Sequence, residues 1–166
     1  MFIMGRYTKT ERQLLLYEII FTSEMIEIED VMKRLCVNKK MILRDIMDLT
    51  DAGLVKLNYS RKEKAYIKET PTHILNVPDG KRRHQYLKKI IRLAQFMEEL
   101  SEAACSEDLE YNCRTRYKEM FPDVSERTRM RDYKIMENIG YYIRWDEHEQ
   151  RHIVTGYLYE IRERFD

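Results

Sequence analysis

The sequence predicts a mainly α-helical protein of the α+β class, with small β-hairpins. Residues that favour helices dominate it: 36% of the 166 residues are charged, and only five are glycine and three proline. Apolar residues recur at helical spacing along most of the chain and alternate only in short segments. One stretch of the first half also recurs 87 residues later with the same order of features.

The first half reads as three helices followed by a hairpin. Helical apolar spacing is found in three segments, 11–22, 28–36 and 39–51. Asn38 precedes the third as a good N-cap, and Gly53 follows it as a helix terminator. Apolar residues then alternate in Leu54–Tyr59 and Ala65–Glu69, on either side of the charged turn SRKEK, which predicts a hairpin with a basic tip. This order is that of a winged helix-turn-helix domain, whose third helix reads DNA.

The second half repeats this order after a short connection. Residues 71–80 contain several turn residues and are expected to link a first domain, 1–70, to a second, 81–166. Further helices are expected at 82–100, 111–121 and 126–139. The acidic segment 101–110 is interpreted as a loop or a frayed helix end. The tail, Thr155–Phe165, fits either an extra strand or a dimerisation helix.

The two halves align without a gap at the shift of 87 residues. The matched features are a valine, a helix cap, an Arg-Asp dipeptide and a glycine: Val37 with Val124, Asn38 with Ser125, Arg44-Asp45 with Arg131-Asp132, and Gly53 with Gly140. Predicted core positions also match, Leu43 with Met130 and Leu49 with Met136, and Ala65-Tyr66-Ile67 falls on His152-Ile153-Val154. Together with Tyr133, the two methionines are expected to pack on the core. The chain is therefore predicted to be two tandem copies of one unit.

One helix follows a recognisable motif, S-x-R-T-x-x-R-D with a glycine nine residues after the last arginine. Its residues are Ser125, Arg127, Thr128, Arg131, Asp132 and Gly140. This motif resembles that of the winged helix in two groups of bacterial regulators, the DeoR-type repressors and the WYL-domain regulators. The first copy keeps Arg44-Asp45 and Gly53 but has Asn38, Lys40 and Met41 where the motif has Ser, Arg and Thr. The resemblance implies a bacterial-type transcriptional regulator that binds double-stranded DNA, with no effector domain evident.

In a winged helix-turn-helix, residues at the start of the third helix reach base edges, and nearby cations hold phosphates. The predicted DNA contacts of the first copy are Asn38, Lys39, Lys40 and Arg44, with Arg61, Lys62 and Lys64 in its wing. Those of the second copy are Ser125, Arg127, Thr128, Arg129 and Arg131. Arg129 lies about 200° around the helix from Arg127, so the two are expected to face different surfaces.

The second wing leaves another function open. It carries Asp146, Glu147 and Glu149, which phosphate repels, so this wing is expected to point away from DNA or to contact protein. The alternative function is therefore a winged-helix interaction or assembly module, including a role like that of a replication initiator. Asp45 and Asp132 are interpreted as structural, either orienting the neighbouring arginine or binding another helix.

Other classes of protein find little support. The sequence has no phosphate-binding loop, nucleophile elbow or HExxH motif, so neither an enzyme nor a cofactor is expected. His148 and His152 are four residues apart, which suits a metal site on a helix. Because they fall in the predicted hairpin, this spacing does not indicate a metal site. Cys36 is interpreted as a core residue, and three cysteines without a pairing pattern are typical of a cytoplasmic protein. No apolar run approaches the ~20 residues that span a bilayer, so no membrane partner is expected, and a homodimer is one option for assembly.

Overall fold

The structure, a computed structural model, describes residues 7–76, 82–105 and 110–155. These residues form six helices and two small antiparallel sheets, which confirms the α+β class. The chain divides into two compact units, residues 1–91 and 92–166. This division falls within a helix, whereas the sequence places the domain boundary at 71–80. The predicted strand or helix of the tail lies outside the described residues, apart from Thr155.

The first unit contains three complete helices and a three-stranded sheet. Its elements are α1 (Lys9–Thr22), β1 (Met25–Ile26), α2 (Ile28–Leu35), α3 (Lys39–Asp51), β2 (Lys56–Ser60) and β3 (Ala65–Glu69). The antiparallel sheet has the order β1-β3-β2. Alternation cannot show in a strand as short as β1, and the sequence does not predict it. The start of α4 (Arg82–Cys105) also belongs to this unit.

Local sequence fixes both ends of α3. The Asn38 side chain accepts a hydrogen bond from the Met41 backbone N–H at 3.0 Å, which confirms it as the N-cap. Gly53 follows the helix with φ +73°, a conformation that other residues rarely adopt. A Cβ at this position would lie 2.5 Å from the backbone N and O of Ile74, so the close approach of residues 71–76 also requires glycine.

The second unit contains the rest of α4, two shorter helices and a hairpin. Its other elements are α5 (Cys113–Met120), α6 (Glu126–Ile139), β4 (Tyr142–Asp146) and β5 (Arg151–Thr155). Ser125 caps α6 through a hydrogen bond from the Thr128 N–H at 3.3 Å, and Gly140, at φ +116°, ends it. The helix α4 runs five residues past its predicted end at Leu100, into the acidic segment, because Ala103 and Ala104 strongly favour helix.

The repeat of the two hairpins has a different register from the one that the sequence alignment gives. Ser60 pairs with Ala65 at the tip of the first hairpin, and Asp146 pairs with Arg151 at the tip of the second. Ala65 therefore corresponds to Arg151, 86 residues later, and not to His152. The ungapped alignment is wrong from this point, because one residue fewer separates Gly140 from its hairpin than separates Gly53 from its own.

The third helices of the two units bury corresponding positions. These are Ile42, Asp45, Ile46 and Leu49 in α3, and Arg129, Asp132, Tyr133 and Met136 in α6. Tyr133, Met136 and Leu49 are confirmed as core residues. The prediction for Met130 is wrong, since 53% of this residue is exposed, and its counterpart Leu43 is only half-buried. The core face of each helix includes the preceding residue, Ile42 or Arg129. Leu43 and Met130 lie about 100° further around the helix and so turn towards the surface.

Candidate nucleic-acid interface

The aspartate of each Arg-Asp dipeptide lies in the interior and binds an arginine on the first helix of its unit. Asp45 accepts hydrogen bonds from Arg12 Nε at 2.5 Å and Arg12 Nη2 at 3.0 Å. Asp132 accepts them from Arg92 Nε at 2.8 Å and Arg92 Nη2 at 3.1 Å. Both aspartates are 1% exposed. The interpretation that these aspartates bind another helix is therefore confirmed, and both pairs are bidentate.

A further side chain donates to each buried aspartate. Gln13 Nε2 donates to Asp45 Oδ1 at 3.0 Å, and Tyr117 OH donates to Asp132 Oδ2 at 2.6 Å. Burial, and the carboxylate that it binds, raise the pKa of Tyr117, so its hydroxyl stays a donor. These bonds fix the rotation of each third helix about its axis. The preceding residues, Arg44 and Arg131, are consequently directed to the surface, where both are exposed.

Each third helix presents a surface stripe of four residues that we call the outer stripe. Its members lie at i, i+3, i+4 and i+7: Lys40, Leu43, Arg44 and Met47 in α3, and Arg127, Met130, Arg131 and Lys134 in α6. All are exposed except the half-buried Leu43. Neither outer stripe contains an acidic residue. Each therefore combines cations with large apolar side chains on one face.

The cations at the aligned positions of the outer stripes have no carboxylate partner within the described residues. They are Lys40 and Arg44 in α3, and Arg127 and Arg131 in α6. Elsewhere in the described chain arginines commonly bind acids, as Arg34 does with Asp30 at 2.8 Å and Arg116 with Glu99 at 2.8 Å. Lys134, at the end of its stripe, pairs with Glu137 at 3.4 Å. These four cations are therefore available to an anionic ligand.

The predicted contacts at the helix starts have mixed outcomes. The side-chain oxygens of Asn38 and Ser125 cap their helices, although both residues remain exposed. Ser125 Oγ also donates to Thr128 Oγ1 at 3.1 Å, and Thr128 is half-buried. Lys39 is exposed, but its counterpart in α6 is an acid, Glu126. The two helices therefore carry opposite charges at their first residue.

The ionised carboxylate of Glu126 pairs with three cations of its own unit. It accepts hydrogen bonds from Arg129 Nη2 at 2.6 Å and Nε at 2.9 Å, and it pairs with Lys118 at 3.0 Å and Arg114 at 3.5 Å. The hydrogen bonds from Arg129 and Lys118 lower the pKa of Glu126 to about 2. Since Lys118 and Arg114 belong to α5, this carboxylate joins the second helix of the unit to the start of the third.

Arg129 requires a correction to the predicted DNA contacts. Only 5% of the residue is exposed, and its guanidinium lies 4.7 Å from the ring centroid of Tyr133. It occupies the place of the fully buried Ile42 of the first unit, so it faces the core and not a groove. The repeat itself carries the signal that locates this arginine, because the alignment at 87 residues sets it on Ile42.

The two wings share one turn geometry. Each turn has four residues, 61–64 and 147–150. The last residue of the turn has a positive φ, 52° at Lys64 and 51° at Gln150. Ser60 Oγ accepts from the Glu63 N–H at 3.2 Å. At the corresponding place Asp146 Oδ1 accepts from the N–H groups of His148 and Glu149, both at 2.9 Å. Asp146 is therefore a turn cap.

The wing tips have opposite charges. The first tip exposes Arg61, Lys62 and Lys64 beside Glu63, while the second exposes Glu147 and Glu149 with no lysine or arginine. Lys62 pairs with Glu63 at 3.7 Å, but both side chains are largely exposed. Such a surface pair is weak, so Lys62 stays available to another anion. Only the tip of the first wing thus offers cations to a phosphate backbone.

His148 and His152 lie in the second hairpin, while Cys36 and Cys113 lie at helix ends. His148 is exposed in its turn, and His152 packs its ring 5.0 Å from Trp145 and 5.8 Å from Tyr133. No group of three possible metal ligands occurs in the part of the chain that the structure describes. Burial raises the pKa of Cys113 to about 11, so it stays a thiol. Cys36 is not a core residue as predicted; it is half-buried at the end of α2, with φ 54°.

The stability of the second unit is expected to fall as the pH drops below neutrality. Burial, then the cations Arg129 and Arg114, lower the pKa of His152 from its ordinary 6.5. The unfolded chain therefore takes up a proton at a higher pH than the folded chain, which disfavours folding as the pH falls through 6.5. Thermal unfolding at about pH 7.5 and 5.5 measures this loss. His152→Gln should reduce the loss, and the exposed-site control His148→Gln should retain it; equal losses in both variants would contradict the assignment.

Comparisons with known proteins give no match from which a function could be inferred. No protein-family model matches the sequence, and neither a curated protein nor a solved structure does. Among residues 7–76, 82–105 and 110–155, no helix is both long and apolar enough to cross a bilayer.

Proposed function

We propose that this protein is a sequence-specific double-stranded DNA-binding transcriptional regulator, built from two tandem winged helix-turn-helix domains. One observation carries the proposal. At the same two aligned positions, 40 with 127 and 44 with 131, both third helices expose cations that have no carboxylate partner among the described residues. An α-helix fits the major groove of B-DNA, where arginine binds guanine and both arginine and lysine bind phosphate.

The composition of the outer stripes is also more typical of a helix face that contacts a DNA groove than of one that only faces solvent. A solvated helix face commonly alternates its cations with acids, as Arg34 does with Asp30 in α2. The outer stripes instead place Leu43 and Met130 between their cations. An apolar side chain at the centre of a recognition surface suits the methyl group of thymine.

The overall charge of +1 is compatible with this proposal. Nucleic-acid binding depends on where the cations lie, and three acids of the third helices are engaged within their own units. Asp45 and Asp132 are buried in ion pairs, and Glu126 is bound by three cations. The outer stripes and the first wing therefore remain basic patches on a nearly neutral molecule.

Removal of the outer-stripe cations tests the proposal. Lys40→Ala with Arg44→Ala, and separately Arg127→Ala with Arg131→Ala, should each weaken binding to a pool of duplexes by about tenfold or more, since each pair removes two contacts. Fluorescence anisotropy with a labelled duplex measures the affinity. The matched control is Arg82→Ala with Lys88→Ala, which removes two exposed cations from α4 and should leave the affinity within about twofold. Unchanged affinity in both outer-stripe variants, with their folds intact, would reject the proposal.

A second candidate, a protein-interaction module, is favoured by the second wing alone. This wing combines exposed acids with Trp145, which is 47% exposed, and tryptophan is enriched at binding hot spots. Under this function duplex binding is absent, and the variants above have no effect on partner binding. Trp145→Ala would then reduce the affinity for the protein partner.

A further inference from the structure

We infer that one chain recognises an asymmetric duplex site made of two unlike sub-sites, and that the outer-stripe residues determine the sequence of each. This inference rests on the proposed function and specifies its substrate. It arises from the differences between two helices that are otherwise built alike.

The frameworks of the two helices are equivalent. Each begins at a side-chain cap, Asn38 or Ser125, and each is held by a buried aspartate that binds an arginine bidentately. Four aligned positions are buried in both, 42 with 129, 45 with 132, 46 with 133 and 49 with 136. The outer stripes therefore occupy equivalent places on equivalent supports, and their side chains can be compared one by one.

The outer-stripe side chains differ at three of the four aligned positions. Lys40 corresponds to Arg127, Leu43 to Met130 and Met47 to Lys134, while Arg44 and Arg131 are the same. Arginine binds guanine through two donors in a fixed plane, whereas lysine acts as a point charge. At the last position, an apolar methionine suited to a thymine methyl is replaced by a cation. Unlike side chains at equivalent places read unlike bases.

The residues around the two outer stripes also differ, in their charge. The first helix starts with the cation Lys39 and the second with the neutralised acid Glu126. The first wing is basic and the second acidic. The first unit therefore contacts more phosphates, while the second depends more on its helix.

This arrangement differs from that of a homodimeric regulator. Two identical recognition helices related by a two-fold axis require a palindromic operator. Here one chain supplies two recognition helices that are not identical, so the stretch of DNA under one chain carries two different sub-sites.

A graft of one outer stripe onto the other unit tests the inference. Arg127→Lys, Met130→Leu and Lys134→Met make the second outer stripe identical to the first, and all three positions are exposed, so the core is unaffected. Selection from a random duplex library should give the wild-type chain an asymmetric motif. For the graft, the second sub-site should change towards the first while the first stays the same. Affinity of the graft for the wild-type duplex should fall by about tenfold or more, and a duplex that carries the first sub-site twice should restore it.

The outcomes separate this inference from the proposed function. The control Lys88→Met, on the exposed face of α4, should select the wild-type motif. A palindromic wild-type motif, or a graft that selects the wild-type second sub-site, would overturn the inference and leave DNA binding intact. A wild-type chain that selects no sequence would overturn both.

Discussion

Replacing Asp132 by alanine is expected to lower the free energy of unfolding of the second unit by about 3 kcal/mol. The change leaves the Arg92 guanidinium without its bidentate partner and the Tyr117 hydroxyl without its acceptor. Loss of one member of a buried ion pair costs about 3–5 kcal/mol, and the lower end applies because the Arg92 side chain is 20% exposed. Asp45→Ala should destabilise the first unit in the same way, through Arg12 and Gln13.

Urea denaturation followed by circular dichroism measures both losses. The matched control is Asp30→Ala, which removes an exposed pair with Arg34 and should cost at most about 1 kcal/mol. If Asp132→Ala and Asp30→Ala were equally mild, the buried pairs would not be what orients the third helices. Direction of Arg44 and Arg131 to the surface would then need another cause.

Reversal of charge in the first wing is expected to weaken duplex binding by about a hundredfold or more. Arg61→Glu, Lys62→Glu and Lys64→Glu replace three exposed cations by acids at a tip that the proposed function sets against phosphate. Each lost phosphate contact also removes about 0.9 from the slope of log affinity against log salt. Titration of a labelled duplex at several salt concentrations measures the affinity and this slope together.

The second wing supplies the matched comparison. Its turn has the same length and the same cap position, so Glu147→Gln with Glu149→Gln keeps the turn and removes two charges, together with the Glu149–Arg151 pair at 4.0 Å. Affinity within about twofold of the wild type is expected, because this wing lies away from phosphate in the proposed function. A first-wing variant that bound as tightly as the wild type would remove the first wing from the interface. A large gain from the second-wing variant would instead set that wing beside DNA.

Local signals made much of the fold predictable. The bounds of α3 and α6 agree with the expected segments 39–51 and 126–139, because a capping side chain precedes each helix and a glycine follows it. Elements without such signals were less accessible. The strand β1 has only two residues, and α4 continues past its predicted end at Leu100 to Cys105.

The candidate site was predictable where it depends on exposed charge. Lys40, Arg44, Arg127 and Arg131 lie at the surface as a DNA contact requires, and their contact with DNA stays a prediction. Long-range pairing was not predictable, because Arg12 and Arg92 lie 33 and 40 residues from the aspartates that they bind. Residue type predicts the wrong surface for Arg129 and Met130, because a cation favours the exterior and methionine the core; the repeat aligns Arg129 with the buried Ile42.

The salt dependence of duplex binding by the intact chain tests the central claim most directly. Eight exposed cations make up the proposed phosphate and base contacts: Lys39, Lys40, Arg44, Arg61, Lys62, Lys64, Arg127 and Arg131. At about 0.9 per neutralised phosphate, the slope of log affinity against log salt should be about −4 to −6 between roughly 50 and 200 mM salt. An absence of duplex binding, or an affinity that does not change with salt, would contradict the proposal that this protein binds DNA.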